Sequence, residues 1–412
     1  MLKLASGNLN DFGEVFKTTP VLRPMLKPSQ YRVSAPFNVL LFCIDTLGGF
    51  VTLPFRRFYT IDHASIKKIL LIRLDYIGDV LVTTPAIRAL RKKYPEAAID
   101  VVCRPLTAQL LRANPNVTTV IPFDPPWLKH MGGVKLWDTI RTFWDNATVR
   151  RLKEERYDLV IEFHTDPRNI LLSWIIQGRY RIGHADRGLG FLLTHPIPYE
   201  DSGHIIDRTN RIVQYLGCGQ ELPTLDLYLS SEDESEGQRV MKEHWLRKRE
   251  FICLNPGTGR INKRWALASW SELADAIIDK YGVTAAFTGS TEDLLDIYQI
   301  IGAMRNSKRT VVLAGKTSLG GLAEVYRHAK AVICTDTGPM HIAKSVGARL
   351  VALFGPVNPI IWGYTHSTSR VVVEKQTCSF CDRPDCIRKT EQYLCMTQIQ
   401  PAGVLAQLKS VL

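Results

Sequence analysis

Acidic residues are in short supply: 40 Asp and Glu stand against 52 Lys and Arg in 412 residues, a formal charge of +12. Such a surplus suits an anionic membrane face, a phosphorylated substrate or a nucleic acid. No arginine-rich tract or nucleic-acid-binding motif accompanies it, so nucleic acid is not an expected partner. A clean membrane-spanning run is also lacking. The best candidate, residues 37–55 (FNVLLFCIDTLGGFVTLPF), is interrupted by Asp45, Gly48 and Gly49. It begins too far along the chain, and without a small-residue cleavage site, to read as a secretory signal peptide. No short-period repeat or low-complexity tract is present, which removes solenoid architectures. The G-x-x-x-x-G-K-[ST] spacing is missing too, which removes a Walker-type phosphate loop.

What is present is an ordinary globular composition, 45 % apolar and 22 % charged, in a chain long enough for two hydrophobic cores. Short apolar runs alternate with helical periodicity. In the first half the runs are Lys68–Leu74, Ala98–Cys103, Thr118–Pro122 and Tyr157–Phe163, with helices near 79–93, 136–155 and His204–Leu216. In the second half the runs are 251–255, 283–288, 310–314, 331–335 and 349–354, again separated by helices. This alternation predicts βαβ units, parallel sheets and an α/β fold. The polar stretch Glu221–Glu250 reads as a connection containing a helix. The expected divisions are an N-terminal extension over 1–66, an α/β domain over 67–225 and a second over 226–412.

Three strand-to-helix turns hold the chemistry-bearing residues. In Cys334-Thr335-Asp336-Thr337-Gly338-Pro339-Met340-His341, Asp336 stands at a strand's carboxyl end, where open α/β sheets bind ligands. Thr337 or Asp336 suits a helix cap, and Pro339 suits a first helical turn. Unpaired N–H groups and the positive helix end there suit a phosphate. The second turn runs Arg73-Leu74-Asp75-Tyr76-Ile77-Gly78-Asp79. The third runs from Leu254-Asn255-Pro256-Gly257-Thr258-Gly259 to Asn262-Lys263-Arg264-Trp265 and offers small residues, backbone donors and cations.

With Leu353-Phe354-Gly355-Pro356 and a cysteine-rich tail, this ordered set resembles glycosyltransferase family 9, the ADP-heptose:lipopolysaccharide heptosyltransferases, over residues 67–412. The resemblance implies a GT-B fold, two Rossmann-like domains facing each other across a cleft. It also implies inverting transfer of heptose from ADP-heptose to a lipopolysaccharide-core-type glycolipid, without a catalytic metal. Such a transfer needs a base for the acceptor hydroxyl, charge to stabilise the leaving diphosphate, and an anomeric carbon held in line. Asp79 is then the base and Lys263 the diphosphate cation, with Arg264 beside it. Thr337 and Gly338 donate to the diphosphate, Asp336 or His341 reaches sugar or ribose hydroxyls, and Glu292 lies near the nucleotide ribose. The helix Pro401–Val411 is expected to cross back to the first domain. By residue type alone, Asp79 fits a helix N-terminal carboxylate, Lys263 a surface lysine, His341 a packed helix histidine and Glu292 a helix-start charge. Asp75 reads as acceptor-binding or structural.

Nine cysteines fall into two groups. Cys253 and Cys334 lie in apolar strands, where reduced core thiols are expected. Cys378, Cys381, Cys386 and Cys395 form C-x2-C-x4-C-x8-C, which fits a structural zinc site, two disulfides or four free thiols. In the extension, residues 37–55 are followed by Arg56 and Arg57 and preceded by Arg23, Lys27 and Arg32. That pattern suggests a segment lying in the membrane interface, with the enzyme cytoplasmic and peripheral on the inner face. Trp137, Ile140 and Trp144 share a helical face ringed by Lys135, Arg141, Arg150 and Arg151, which suits core packing or an anionic acceptor. Two alternatives remain: a GT-B transferase using another nucleotide sugar for surface polysaccharide, and a non-catalytic nucleotide-binding scaffold at the membrane. Asp79 together with Lys263 weighs against the scaffold, which needs no base opposite a diphosphate cation.

Overall fold

The computed structural model describes residues 43–52, 60–125, 141–143, 145–200 and 202–412. The first half builds a sheet from β1 (Lys68–Arg73), β2 (Ala98–Cys103), β3 (Thr119–Pro122), β4 (Leu159–Glu162), β5 (Tyr180–His184) and β6 (His195–Ile197). The second half builds another from β7 (Phe251–Asn255), β8 (Thr284–Phe287), β9 (Thr310–Val312), β10 (Ala331–Thr335), β11 (Leu350–Phe354) and β12 (Ser369–Val373). Every pairing is parallel, and the orders are β3-β2-β1-β4-β5-β6 and β12-β11-β10-β7-β8-β9. Numbered from its own first strand, each half has the order 3-2-1-4-5-6 of a Rossmann-like domain. The order reverses between β1 and β4 and between β7 and β10, leaving a crevice at the strands' carboxyl ends. The expected α/β architecture of two Rossmann-like halves is the observed one.

The central strands read KILLIR, FICLN, AVICT and LVALF and are buried along almost their whole length, as strands covered on both faces must be. The covering helices used below are α1 (Ile77–Lys93), α2 (Ala147–Glu154), α3 (Pro167–Ile175), α4 (Ile205–Tyr215), α5 (Ser231–Glu243), α6 (Leu267–Tyr281), α7 (Leu294–Gly302), α8 (Leu319–His328), α9 (Gly338–Ser345) and α10 (Pro401–Val411). The acidic run predicted to sit in the connection starts α5, where Ser230 and Asp233 form a reciprocal capping box. The chain before it is stitched along α1: Arg88 pairs with Glu221 at 2.9 Å and with Asp226, and the Asp226 N–H donates to Thr84 at 2.8 Å.

The two halves meet where α1 packs on α9, and a single buried apolar cluster runs from Leu71 and Leu90 through to Met340 and Phe354. Two glycines permit the approach. A Cβ on Gly78 would lie 2.6 Å from the His341 ring, and one on Gly338 would lie 2.8 Å from Ile77.

Some expectations change. β5, β6 and β12 were not anticipated, because YRIGH, HPI and SRVVV are short and mixed in polarity. The C-terminal helix does not cross back as expected. Val404, Leu408 and Val411 of α10 are buried in the second core with Trp265, whose indole N–H donates to the Ile399 carbonyl at 2.9 Å. Of the 37–55 segment, residues 43–52 are helical and the rest lies outside the described residues, as do Arg23, Lys27, Arg32, Arg56, Arg57, Lys135, Trp137, Ile140 and Trp144. No described helix is long and apolar enough to cross a membrane.

Candidate active site

The first crevice holds a compact charge network. Arg73, at the end of β1 and 4 % exposed, donates to the Asp79 carbonyl at 3.0 Å and to the Phe163 carbonyl at 2.9 Å. It also lies 3.2 Å from the Asp75 carboxylate and 3.5 Å from that of Asp79. Asp75 contacts the imidazole of His164, just beyond the end of β4. Glu162 accepts the N–H groups of His164 and Thr165 at 2.8 and 2.7 Å and the Asn169 amide at 3.2 Å, which fixes that strand end. Asp79 stands in the first turn of α1, its side chain 23 % exposed.

These carboxylates are driven apart in basicity. Burial raises the Asp79 pKa above the usual carboxylate value, and Asp75 adds to the rise while Arg73 and His164 oppose it. Burial also works against a charged Asp75, but His164 and Arg73 prevail and hold it low. Burial likewise opposes charge on His164, yet its contact with Asp75 pushes it up to about 9. Burial pushes Glu162 up to about 7, against the pull of His164 and its backbone donors. A partly open carboxylate of raised basicity beside a locked one is the environment a general base requires.

The second crevice is built from the β7 and β10 ends. Lys263, on the 3-10 turn Ile261–Lys263, binds the Asp336 carboxylate at 2.7 Å and its carbonyl at 3.0 Å. Thr337, one of the two residues suited to cap α9, occupies its N-cap position, but its hydroxyl bonds the Thr335 carbonyl at 3.3 Å and makes no cap bond. The first-turn N–H groups of α9 therefore have no side-chain cap. His341 is buried one turn into α9 and shares a 2.7 Å hydrogen bond with Tyr364. Burial, His204 and Lys263 bring its pKa down to about 3, so it is neutral at physiological pH. His204, which caps α4 in the first half, bonds the Gly363 carbonyl of the second at 3.1 Å.

The contact between α1 and α9 thus brings the Gly78-Asp79 turn to Gly338 and His341, with Asp336 and Lys263 behind them. Two other residues singled out by sequence lie differently. Arg264 turns to Asp296 on α7, 3.4 Å away. Glu292 is on an exposed turn after β8, beside Asp293, which closes over Gly257. Glu162 and His164 escaped the sequence reading, and Arg73 stood in its turn there without a role. Glu162-Phe163-His164 ends β4 at the first crevice, the position Asp336 has at the second, so the same strand-end rule pointed there. In the tail, Cys378, Cys381, Cys386 and Cys395 are all free. Burial and the three other thiols push Cys395 up to about 11. Among the described residues no group of three or more His, Cys, Asp or Glu is arranged to hold a metal ion.

Comparison with known proteins bears on the family and the fold. The profile of Glycosyltransferase family 9 (heptosyltransferase) matches residues 146–391. The lipopolysaccharide core heptosyltransferase OpsX of Haemophilus influenzae is 24 % identical over 356 residues, 84 % of this chain and 97 % of that protein. Lipopolysaccharide heptosyltransferase 1 of Pseudomonas aeruginosa is 27 % identical over 376 residues, covering 84 % and 98 %. Among solved structures, a family 9 glycosyl transferase from Veillonella parvula superposes with a TM-score of 0.69 at 24 % identity, covering 84 % of this chain and 97 % of that one. The E. coli ADP-heptose lps heptosyltransferase II gives 0.67 at 23 %, covering 84 % and 98 %. At these identities the structural likeness is one of fold.

His164→Gln removes a cation that acts on both Asp75 and Asp79 and leaves Arg73 as the one cation acting on both carboxylates, with Arg104 acting on Asp75 alone. Asp79 then becomes harder to ionise, and turnover that depends on its charged form is lost at a higher pH as the solution is acidified. The acid limb of the kcat/KM profile should move to higher pH while the plateau is largely retained. An unmoved limb would show that His164 does not set the ionisation on which turnover depends.

Proposed function

This chain belongs to glycosyltransferase family 9, and from that premise we propose that it transfers heptose from ADP-heptose, with inversion, to a lipopolysaccharide-core-type glycolipid. The observation that carries the reading is the meeting of the two crevices, with a carboxylate of raised basicity on one side and the Lys263–Asp336 pair on the other.

The Asp79 carboxylate takes the proton of the acceptor hydroxyl as its oxygen attacks the anomeric carbon. The bond from that carbon to the diphosphate breaks, and ADP leaves with the electron pair. Inversion follows from a single displacement, for which one base suffices, through a transition state of oxocarbenium character. Lys263 exchanges its Asp336 partner for the diphosphate, where a charge-assisted contact strengthens as negative charge develops. Thr337, Gly338 and the N-terminal N–H groups of α9 add neutral donors. Asp336, released from Lys263, is free to meet sugar hydroxyls, and neutral His341 holds the turn against α1. Arg264 and Glu292 are assigned to the donor side, Arg264 reaching the diphosphate by leaving Asp296 and Glu292 lying near the ribose. The scheme assigns no catalytic metal, since Lys263 and the helix end carry the charge. A peripheral position on the inner membrane face, through the helical segment at 43–52, suits an acceptor that stays in the bilayer.

Asp79→Asn keeps size and a hydrogen-bonding oxygen while removing the base. Turnover of ADP-heptose should fall by at least ~10² with ADP affinity nearly unchanged. Full activity in this variant would remove Asp79 from the chemistry. Lys263→Ala should weaken ADP binding, read by calorimetry, and slow transfer as well. Unaltered ADP affinity would move the phosphate contact to Arg264.

A further inference from the structure

On the first half, at the amino ends of the strands opposite the crevice, α2, α3 and the start of β5 border an open cavity of about 690 Å³. Arg150 and Lys153 of α2 line it, together with Arg179, Arg181, Phe143 and Trp174, and no acidic side chain is among its described lining residues. Arg181 is occupied in holding the wall: it donates to the Leu192 carbonyl at 2.8 Å and to the Gly178 carbonyl at 2.6 Å. Arg179 donates to Ser65 at 3.1 Å and lies 4.9 Å over the Tyr180 ring. Arg150 and Lys153 are exposed and have no ion-pair partner among the described residues. The cavity therefore offers uncompensated positive charge, for which an anionic group is the complement.

Apolar surface adjoins it. The helix at 43–52 packs so closely that a Cβ on Gly48 would lie 2.5 Å from the Phe191 ring. Phe191 belongs to the 3-10 turn Gly190–Leu192, whose Leu192 carbonyl is the one Arg181 holds. Leu47, Phe50 and Val51 on that helix are 68 %, 64 % and 68 % exposed, and Trp174 at the cavity is 49 % exposed. A half-exposed indole and an outward apolar helix face beside unpaired cations are the parts of an interfacial lipid site. A site for soluble phosphate has no use for the apolar surface.

We propose that this cavity takes the phosphate headgroup of an anionic phospholipid, with the helix at 43–52 and Trp174 lying in the interfacial layer. The proposal rests on the peripheral-membrane reading given above and names the lipid chemistry behind it. It makes attachment depend on two separable contributions, a neutral apolar one from the helix and a charge-dependent one from the cavity.

Co-sedimentation of the full-length protein with vesicles tests it, using phosphatidylcholine alone and phosphatidylcholine mixed with phosphatidylglycerol. Arg150→Ala/Lys153→Ala should lower partitioning onto the mixed vesicles by about 25-fold, roughly fivefold for each cation. Binding to neutral vesicles, melting temperature and ADP affinity should stay unchanged, while Leu47→Ser/Phe50→Ser should weaken binding to both vesicle types. If the charge variant partitions like the parent while the helix variant does not, the cavity takes no lipid and the peripheral reading alone survives. If the parent binds neither vesicle, the peripheral reading fails and the proposal with it. If inorganic phosphate or glycerol phosphate at millimolar concentration stabilises the parent but not the charge variant, and vesicles bind neither, the site is for soluble phosphate and the lipid assignment is overturned.

Discussion

The close approach of α1 to α9 is the constraint on which the site depends. Each half alone has a crevice at its strand-order reversal, and each crevice alone has only part of the candidate site. Gly78 and Gly338 let the two helix starts touch, Ile77 and His341 fill the space the missing Cβ atoms leave, and the shared apolar cluster secures the contact. His204 bonded to Gly363, and Arg88 clamping the connecting chain along α1, add polar ties to the same junction. The turn that carries Asp79 on the first half is consequently held against the turn that carries Gly338 and His341 on the second.

The first crevice assigns different roles to similar groups through environment. Asp75 is locked between Arg73 and His164 and stays charged, whereas Asp79 has a longer contact with Arg73 and a hydrogen bond from the Tyr76 backbone, and keeps an opening to solvent. Removing ions from water is costly, and this network remains tolerable because nearly every member has a partner. In the second crevice Lys263 and Asp336 satisfy each other. His341 contributes shape and a hydrogen bond to Tyr364 rather than charge.

Much of this was readable from residue order. Continuous apolar strands such as Leu350–Phe354 and glycine-bearing turns such as Gly78-Asp79 are local signals, and they located both crevices. Signals that depend on distant packing were not readable. Nothing in the sequence around Thr337 says that its hydroxyl turns back to Thr335, and nothing around Arg264 places it on Asp296. The pairing of His164 with Asp75 joins residues from separate strands and becomes visible only once β1 and β4 are neighbours. The C-terminal helix was misplaced because its own apolar pattern states that it docks, while the partner, the surface around Trp265, is a property of the fold.

The contact between the halves can be tested by adding one methyl group. Gly78→Ala puts a Cβ 2.6 Å from a ring that Tyr364 holds in place, so the two helix starts must separate. Because a displacement of about 1 Å in a reacting geometry can cost ~10² in rate, turnover should fall by at least ~10-fold. Affinity for ADP, proposed to bind at the second crevice, should stay close to that of the parent. A Gly78→Ala protein that turns over at the parent rate would contradict a reaction centre built on this contact.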